Sequence, residues 1–119
     1  PIPKNKKERY ALAVLYTALL TMTCADALGA ERDLILDGSY LRDPVFAKIV
    51  ATLRGDRKTL CDTEIYGIAS GAALLCSYSR VSAKLNLYVP SPLTEIPNIH
   101  IYSEKWKALT NKQMKGKIK

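Results

Sequence analysis

The sequence predicts an α/β layer protein, and three observations carry that expectation. Apolar stretches with helical spacing alternate with apolar runs too short for helices, and glycines follow two of the helical stretches. The resulting order is helix, strand, helix, strand, helix, with one more helix near the carboxyl end. Such alternation implies parallel strands joined by right-handed crossovers, with helices laid against the sheet. At 119 residues the chain makes one domain or part of one. It opens on Pro1 rather than Met, as a processed chain or a piece of a longer one does.

After a polar opening over residues 1–9, residues 10–25 carry no charge, and Leu12, Leu15, Leu19 and Met22 recur at three- and four-residue steps. This predicts a long, mostly buried helix. The uncharged run contains Thr17, Thr21 and Thr23 and ends at Asp26, short of the roughly 20 residues a bilayer requires. Gly29 ends the helix. Residues 34–36 then form a buried strand, and Gly38 supplies the freedom for a sharp reversal. Asp43 and Pro44 suit an N-cap and a first helical position. The helix they start carries a Val45, Ile49, Leu53 stripe and closes at Gly55.

Residues 58–62 make a second strand, weaker than the first because only Leu60 and Cys61 are clearly apolar. A third helix is expected over residues 67–82. Its small face of Gly67, Ala69, Ser70, Gly71, Ala72 and Ala73 suits close packing, and Leu74, Leu75 and Val81 add bulk. Residues 85–89 form a short extended piece, and Pro90, Pro92 and Pro97 hold an open surface connection. The last helix is expected over residues 99–113, anchored by Trp106 and Leu109, with a fraying tail over residues 112–119. Two strands are too few for a stable sheet, so part of the sheet is expected to come from elsewhere.

The net charge of +7 sits at the ends of the chain. Residues 1–9 hold about +3 and those beyond residue 100 about +5, which leaves about −1 between them. No basic face is built into the fold, so binding to nucleic acid or an anionic membrane surface would rest on the tails alone. Cys24, Cys61 and Cys76 are odd in number and widely spaced, and His100 is the only histidine. They assemble no tetrahedral metal site and suit reduced core thiols of a cytoplasmic protein. The amino end lacks the pattern of a signal peptide.

The stretch from Asp33 to Pro44 compresses a strand, a glycine turn and a helix start. In open α/β sheets the carboxyl end of a strand is where ligands bind, although an ordinary strand-to-helix turn has the same pattern. Gly67-Ile68-Ala69-Ser70-Gly71 is no nucleophile elbow, because its serine comes one place late and no strand leads into it. Ser70 is expected to be a packing residue.

Taken together, Ile35 through Asp43, then Glu64 and Gly67 through Leu75, resemble the carboxyl-terminal part of the FGGY carbohydrate kinases, which include glycerol, xylulose and ribulose kinases. The resemblance implies the last part of the nucleotide-binding domain of a two-domain actin-like, ribonuclease H-like ATPase. Residues 10–83 would be that part, residues 1–9 a polar lead-in and residues 84–119 an extension, in which residues 102–109 match the family's aromatic-bearing end less specifically. The implied cofactors are ATP and Mg. In the family an Asp-Gly-Gly-like turn meets adenosine, and an Asn five positions after its first glycine lies beside the base. Gly38 and Ser39 would form the turn here, and Asp43 would take the Asn place.

Two departures bear on this. Ser39 replaces the second glycine, and Asp43 accepts hydrogen bonds where Asn would also donate. The family's sugar-binding domain, its catalytic carboxylate in a Gly-Asp-Gln motif and its glycine-threonine phosphate loops all precede the matched segment. No catalytic residue is therefore expected in this chain. Gly55-Asp56-Arg57 falls in a loop the family varies, and Asp56 is expected to be solvated. The implied partners are the remainder of the kinase and a sugar, and the chain alone is expected to lack kinase activity. A stand-alone binding module without chemistry is the alternative.

Overall fold

The computed structural model describes residues 2–29, 31–63, 67–76 and 86–116. Helix α1 (Lys6–Ala27) starts one turn ahead of the uncharged run. Asn5 Oδ1 accepts from the Glu8 backbone N–H at 2.9 Å, and Asn5 Nδ2 donates to Glu8 Oε1 at 3.0 Å. The Lys4 backbone N–H donates to Glu8 Oε2 at 2.7 Å. This cap satisfies donors that a helix start leaves open, so the polar opening is drawn into the helix. At the other end the Leu28 N–H bonds Cys24 O, and Gly29, at φ +66°, bonds Asp26 O.

The expectation of a mostly buried α1 is corrected. Val14, Ala18, Leu19, Met22 and Ala25 are buried, whereas Tyr10, Leu12, Tyr16 and Leu20 are exposed. Absence of charge marked the whole run, but packing selects only the face that meets α2 (Pro44–Arg54). Ala18 and Ala47, both fully buried, allow the two helices to approach closely. The Thr17, Thr21 and Thr23 hydroxyls donate to backbone carbonyls four residues earlier. With its 22 residues, α1 is long and apolar enough, by length and composition alone, to cross a membrane.

Strands β1 (Leu34–Leu36) and β2 (Thr59–Asp62) pair in parallel, with Leu34 opposite Thr59 and Leu36 opposite Cys61. Helix α2 connects them and ends at Gly55, φ +59°. Strand β3 (Leu87–Tyr88) runs antiparallel on the other edge of β2, giving the order β1-β2-β3. The relative weight of the first two strands is reversed from expectation. Only Leu36 of β1 is buried, while Thr59, Cys61 and Asp62 of β2 all are, because β2 is the central strand. In α2 the stripe is shifted as well: Phe46, Ala47, Ile49, Val50 and Ala51 are buried and Val45 is exposed. Full burial of each Leu, Ile, Val, Phe or Met in this cluster contributes about 1.5–3 kcal/mol.

The small face of helix α3 (Gly67–Leu75) is exposed among its described side chains. Ala69, Gly71, Ala72 and Ala73 are exposed, and a Cβ on Gly71 would meet nothing within 4 Å. Small residues permit close approach but bury too little apolar area to drive it. Glu64, the stretch 77–82 and the side chain of Ser70 lie outside the described residues.

The proline connection is tied to the body, since Pro90 is buried and the Leu93 N–H donates to Thr52 Oγ1 at 2.8 Å. Helix α4 (Ile99–Gly116) anchors through Ile99, Ser103 and Trp106, whose ring meets Tyr16 edge-on with centroids 5.4 Å apart. Leu109, 65% exposed, is not an anchor, because the packed side of the helix continues from Trp106 to the half-buried Thr110. Of the expected core thiols only Cys61 is buried; Cys24 and Cys76 are exposed, and all three are free.

Two ionic features complete the fold. Asp26 lies 3.6 Å from Arg57 Nη1 and 3.2 Å from Lys107 Nζ. Arg54 is buried at 3% exposure; its Nη2 donates to Arg32 O at 2.6 Å, while Nε and Nη1 have no partner.

Candidate functional site

Gly38 sets the geometry of the turn after β1. Its φ of +113° and ψ of −179° fall in a region that side chains rarely enter. The chain then forms a single 3-10 turn, Ser39–Arg42, which the sequence reading had passed over. Leu41 N–H bonds Gly38 O at 3.1 Å and Asp43 N–H bonds Tyr40 O at 3.2 Å. Asp43 is the N-cap of α2, as its place before Pro44 implied, and its Oδ1 accepts from the Val45 N–H at 2.8 Å.

The other Asp43 oxygen accepts from the Tyr10 hydroxyl, which brings α1 onto the turn. These bonds hold the Asp43 carboxyl below its ordinary pKa, the Tyr10 hydroxyl being the larger cause and the Val45 N–H the smaller. The same bond raises the Tyr10 phenol.

Beside the turn, where β1 and β2 end, a hollow of about 220 Å³ is lined by Gly38, Ser39, Leu41, Arg42, Asp62, Thr63 and Tyr88. A neighbouring hollow of about 300 Å³ is lined by Tyr10, Ala13, Val14, Ser39, Tyr40, Arg42, Asp43 and Phe46. The structure therefore brings Gly38 and Ser39 together and puts Asp43 in the adjoining hollow, with Ser39 and Arg42 as the shared wall. The Cβ side of Gly38 is open, with nothing within 4 Å.

Asp62, Thr63, Tyr88 and Tyr10 were not singled out from sequence. Thr63 N–H and Oγ1 both donate to Asn86 O at 3.2 Å, which fastens β3 to the end of β2. Tyr88 lies opposite Cys61 across the β2–β3 pair; burial pushes both groups up, and the nearby thiol raises Tyr88 further. The only advance signal for this cluster was the short extended piece over residues 85–89.

A larger groove, about 550 Å³, is elsewhere, between α1, α2 and the start of α4. It is lined by apolar groups including Val14, Leu15, Ile49, Ile96 and Ile99. The strand-end hollow is smaller and more polar, with glycine backbone, Asp62 and Thr63 in its lining. Asp56 is exposed, as expected. Among the described residues no group of three or more His, Cys, Asp or Glu could hold a metal ion.

A family model described as carbohydrate kinase FGGY, C-terminal domain, matches residues 1–84. No curated protein and no solved structure matches the chain. The match covers α1 through α3 with the Gly38 turn at its centre, and leaves β3 and α4 outside it. The chain therefore belongs to the FGGY carbohydrate kinase family, as its C-terminal domain.

Proposed function

We propose that this chain forms one wall of the adenine-nucleotide site of a carbohydrate kinase, and that the complete enzyme transfers the γ-phosphoryl group of Mg-ATP to a sugar hydroxyl. The observation that carries the reading is the Gly38 turn. Backbone in a glycine-only conformation, open on its Cβ side, stands at the carboxyl ends of two parallel strands, within a segment that matches the kinase family. A nucleoside can approach such backbone more closely than any side chain would allow.

Gly38 and Ser39 supply the contact surface. Asp43 bounds the site from the adjoining hollow, and its bonds to Val45 and Tyr10 hold the turn in place. Residues 10–83 act as the nucleotide-domain part, with residues 84–119 as an extension. ATP supplies the phosphoryl group, and its Mg is given no ligand from this chain. Transfer needs positioning and charge neutralisation on both sides of a cleft, so the remaining kinase parts and the sugar are the partners. Three free cysteines suit the cytoplasm.

A non-catalytic interaction module is the second reading, favoured by the apolar groove between α1, α2 and α4. Nuclear magnetic resonance titration of the chain with ATP separates the two. The kinase reading expects shifts at the Gly38, Ser39 and Thr63 amides with a Kd on the order of 1 mM, and no sugar-dependent ADP release from the chain alone. Absence of those shifts removes the nucleotide reading, and sugar-dependent turnover abolished by Gly38→Val removes the partial-site reading.

A further inference from the structure

We propose that Tyr88 is a base-stacking residue of the nucleotide hollow, supplied by the extension beyond the family match. This rests on the nucleotide reading of the Gly38 turn. The family model ends at residue 84, yet residue 88 is part of the wall of the hollow. Strand β3 brings it there, in register with Cys61 and with Leu87 opposite Asp62. The double attachment of Thr63 to Asn86 O, each bond 3.2 Å long, fixes the strand where it enters.

Tyr88 is the one aromatic ring among the described residues that line this hollow. The residue stands opposite Cys61 across the β2–β3 pair, and 38% of it stays accessible. An accessible ring that lines the same small hollow as open glycine backbone suits a flat π-system such as a purine. Stacking of bases on aromatic side chains tolerates different bases, so Tyr88 contributes affinity and leaves the choice among bases to the polar groups. The extension thus acts as part of the site, since the turn alone offers a base backbone on one side only.

The test is a titration of the full chain with adenosine and, separately, with inorganic tripolyphosphate, followed by nuclear magnetic resonance. Adenosine is expected to shift the Gly38 and Ser39 amides together with the Tyr88 ring protons, and tripolyphosphate to leave the ring unmoved. Tyr88→Phe removes the hydroxyl but keeps the ring, and should hold adenosine affinity within about twofold, whereas Tyr88→Leu should weaken it at least about fivefold. In a Trp106→Phe background, Tyr88→Trp should show fluorescence quenched by adenosine, a readout that survives if the leucine variant loosens β3. Shifts at Gly38 and Ser39 with an unmoved ring and wild-type affinity in Tyr88→Leu would overturn the role of Tyr88 and leave the nucleotide reading standing. No adenosine shift at Gly38 or Ser39 would overturn both.

Discussion

Replacing Gly38 with alanine isolates what the turn demands of its backbone. The φ of +113° with ψ of −179° is a region essentially confined to glycine, and holding another residue there costs about 1–3 kcal/mol. No clash adds to this, because a Cβ at the position meets nothing within 4 Å. The unfolded chain becomes stiffer with alanine, which offsets roughly 0.4–1 kcal/mol. The net loss is therefore about 1–2 kcal/mol, or a fall in Tm of roughly 4–8 °C for a chain of this size. Urea and thermal unfolding followed by circular dichroism measure it. A D-alanine version, made by joining a synthetic 1–60 segment to the chain at Cys61, prefers the mirror-image region and should unfold at or above the wild-type temperature. If L-alanine melts with wild type, or D-alanine melts no higher than L-alanine, the conformational argument fails, and with it the reason for a glycine at the head of the hollow.

Three other outcomes follow from the same geometry. Gly71→Ala should raise stability by up to about 1 kcal/mol and Gly71→Leu should cause no overpacking, since the position is an open helical site; a large drop in Tm for the leucine variant would show a docked face. Tyr10→Phe should flatten both limbs of the stability-against-pH curve. The depressed Asp43 contributes stability above about pH 3.9 that is lost as pH falls through its lowered pKa, while the raised Tyr10 contributes below about pH 10 and loses it as pH rises through its own. Melting temperatures across pH read this, and an unchanged acid limb would exclude the bond. Arg54→Met should melt at or above wild type, because it removes a buried charge with two unpartnered nitrogens; a loss of about 3 kcal/mol or more would mean the guanidinium is fully paired.

The helix stops and starts were legible because single residues dictate them. Gly29, Gly55 and the Asp43-Pro44 pair each do what their backbone chemistry requires. The earlier start of α1 was also written in the sequence, in Asn5 and Glu8 three places apart, but charge obscured it. Which face each helix buries was not legible. Leu12 and Leu20 are as apolar as Leu19, and only the position of α2 decides among them. The same holds for the site. Gly38 and Ser39 announced a turn, whereas Tyr88 and Tyr10 reach that region through a strand pairing and a helix contact that span 27 and 33 residues, respectively. The strand ranking failed because β2 is the central strand, with β1 along Thr59 to Cys61 and β3 along Cys61 and Asp62, which no local hydrophobicity records.

The carboxylate of Asp26, shared between Arg57 and Lys107, makes the attachment of α4 unequal along its length. The first turns hold by apolar burial at Ile99 and by the Trp106 edge on Tyr16, neither of which responds much to ionic strength. The next hold is the Lys107 contact, whose partners are about one-third exposed, so it contributes little and weakens as ionic strength rises. Leu109 beyond it touches no core. Rising ionic strength therefore weakens the Lys107 contact more than the Ile99 and Trp106 contacts, so that the start of α4, nearest the apolar core, is the last part of the helix to loosen.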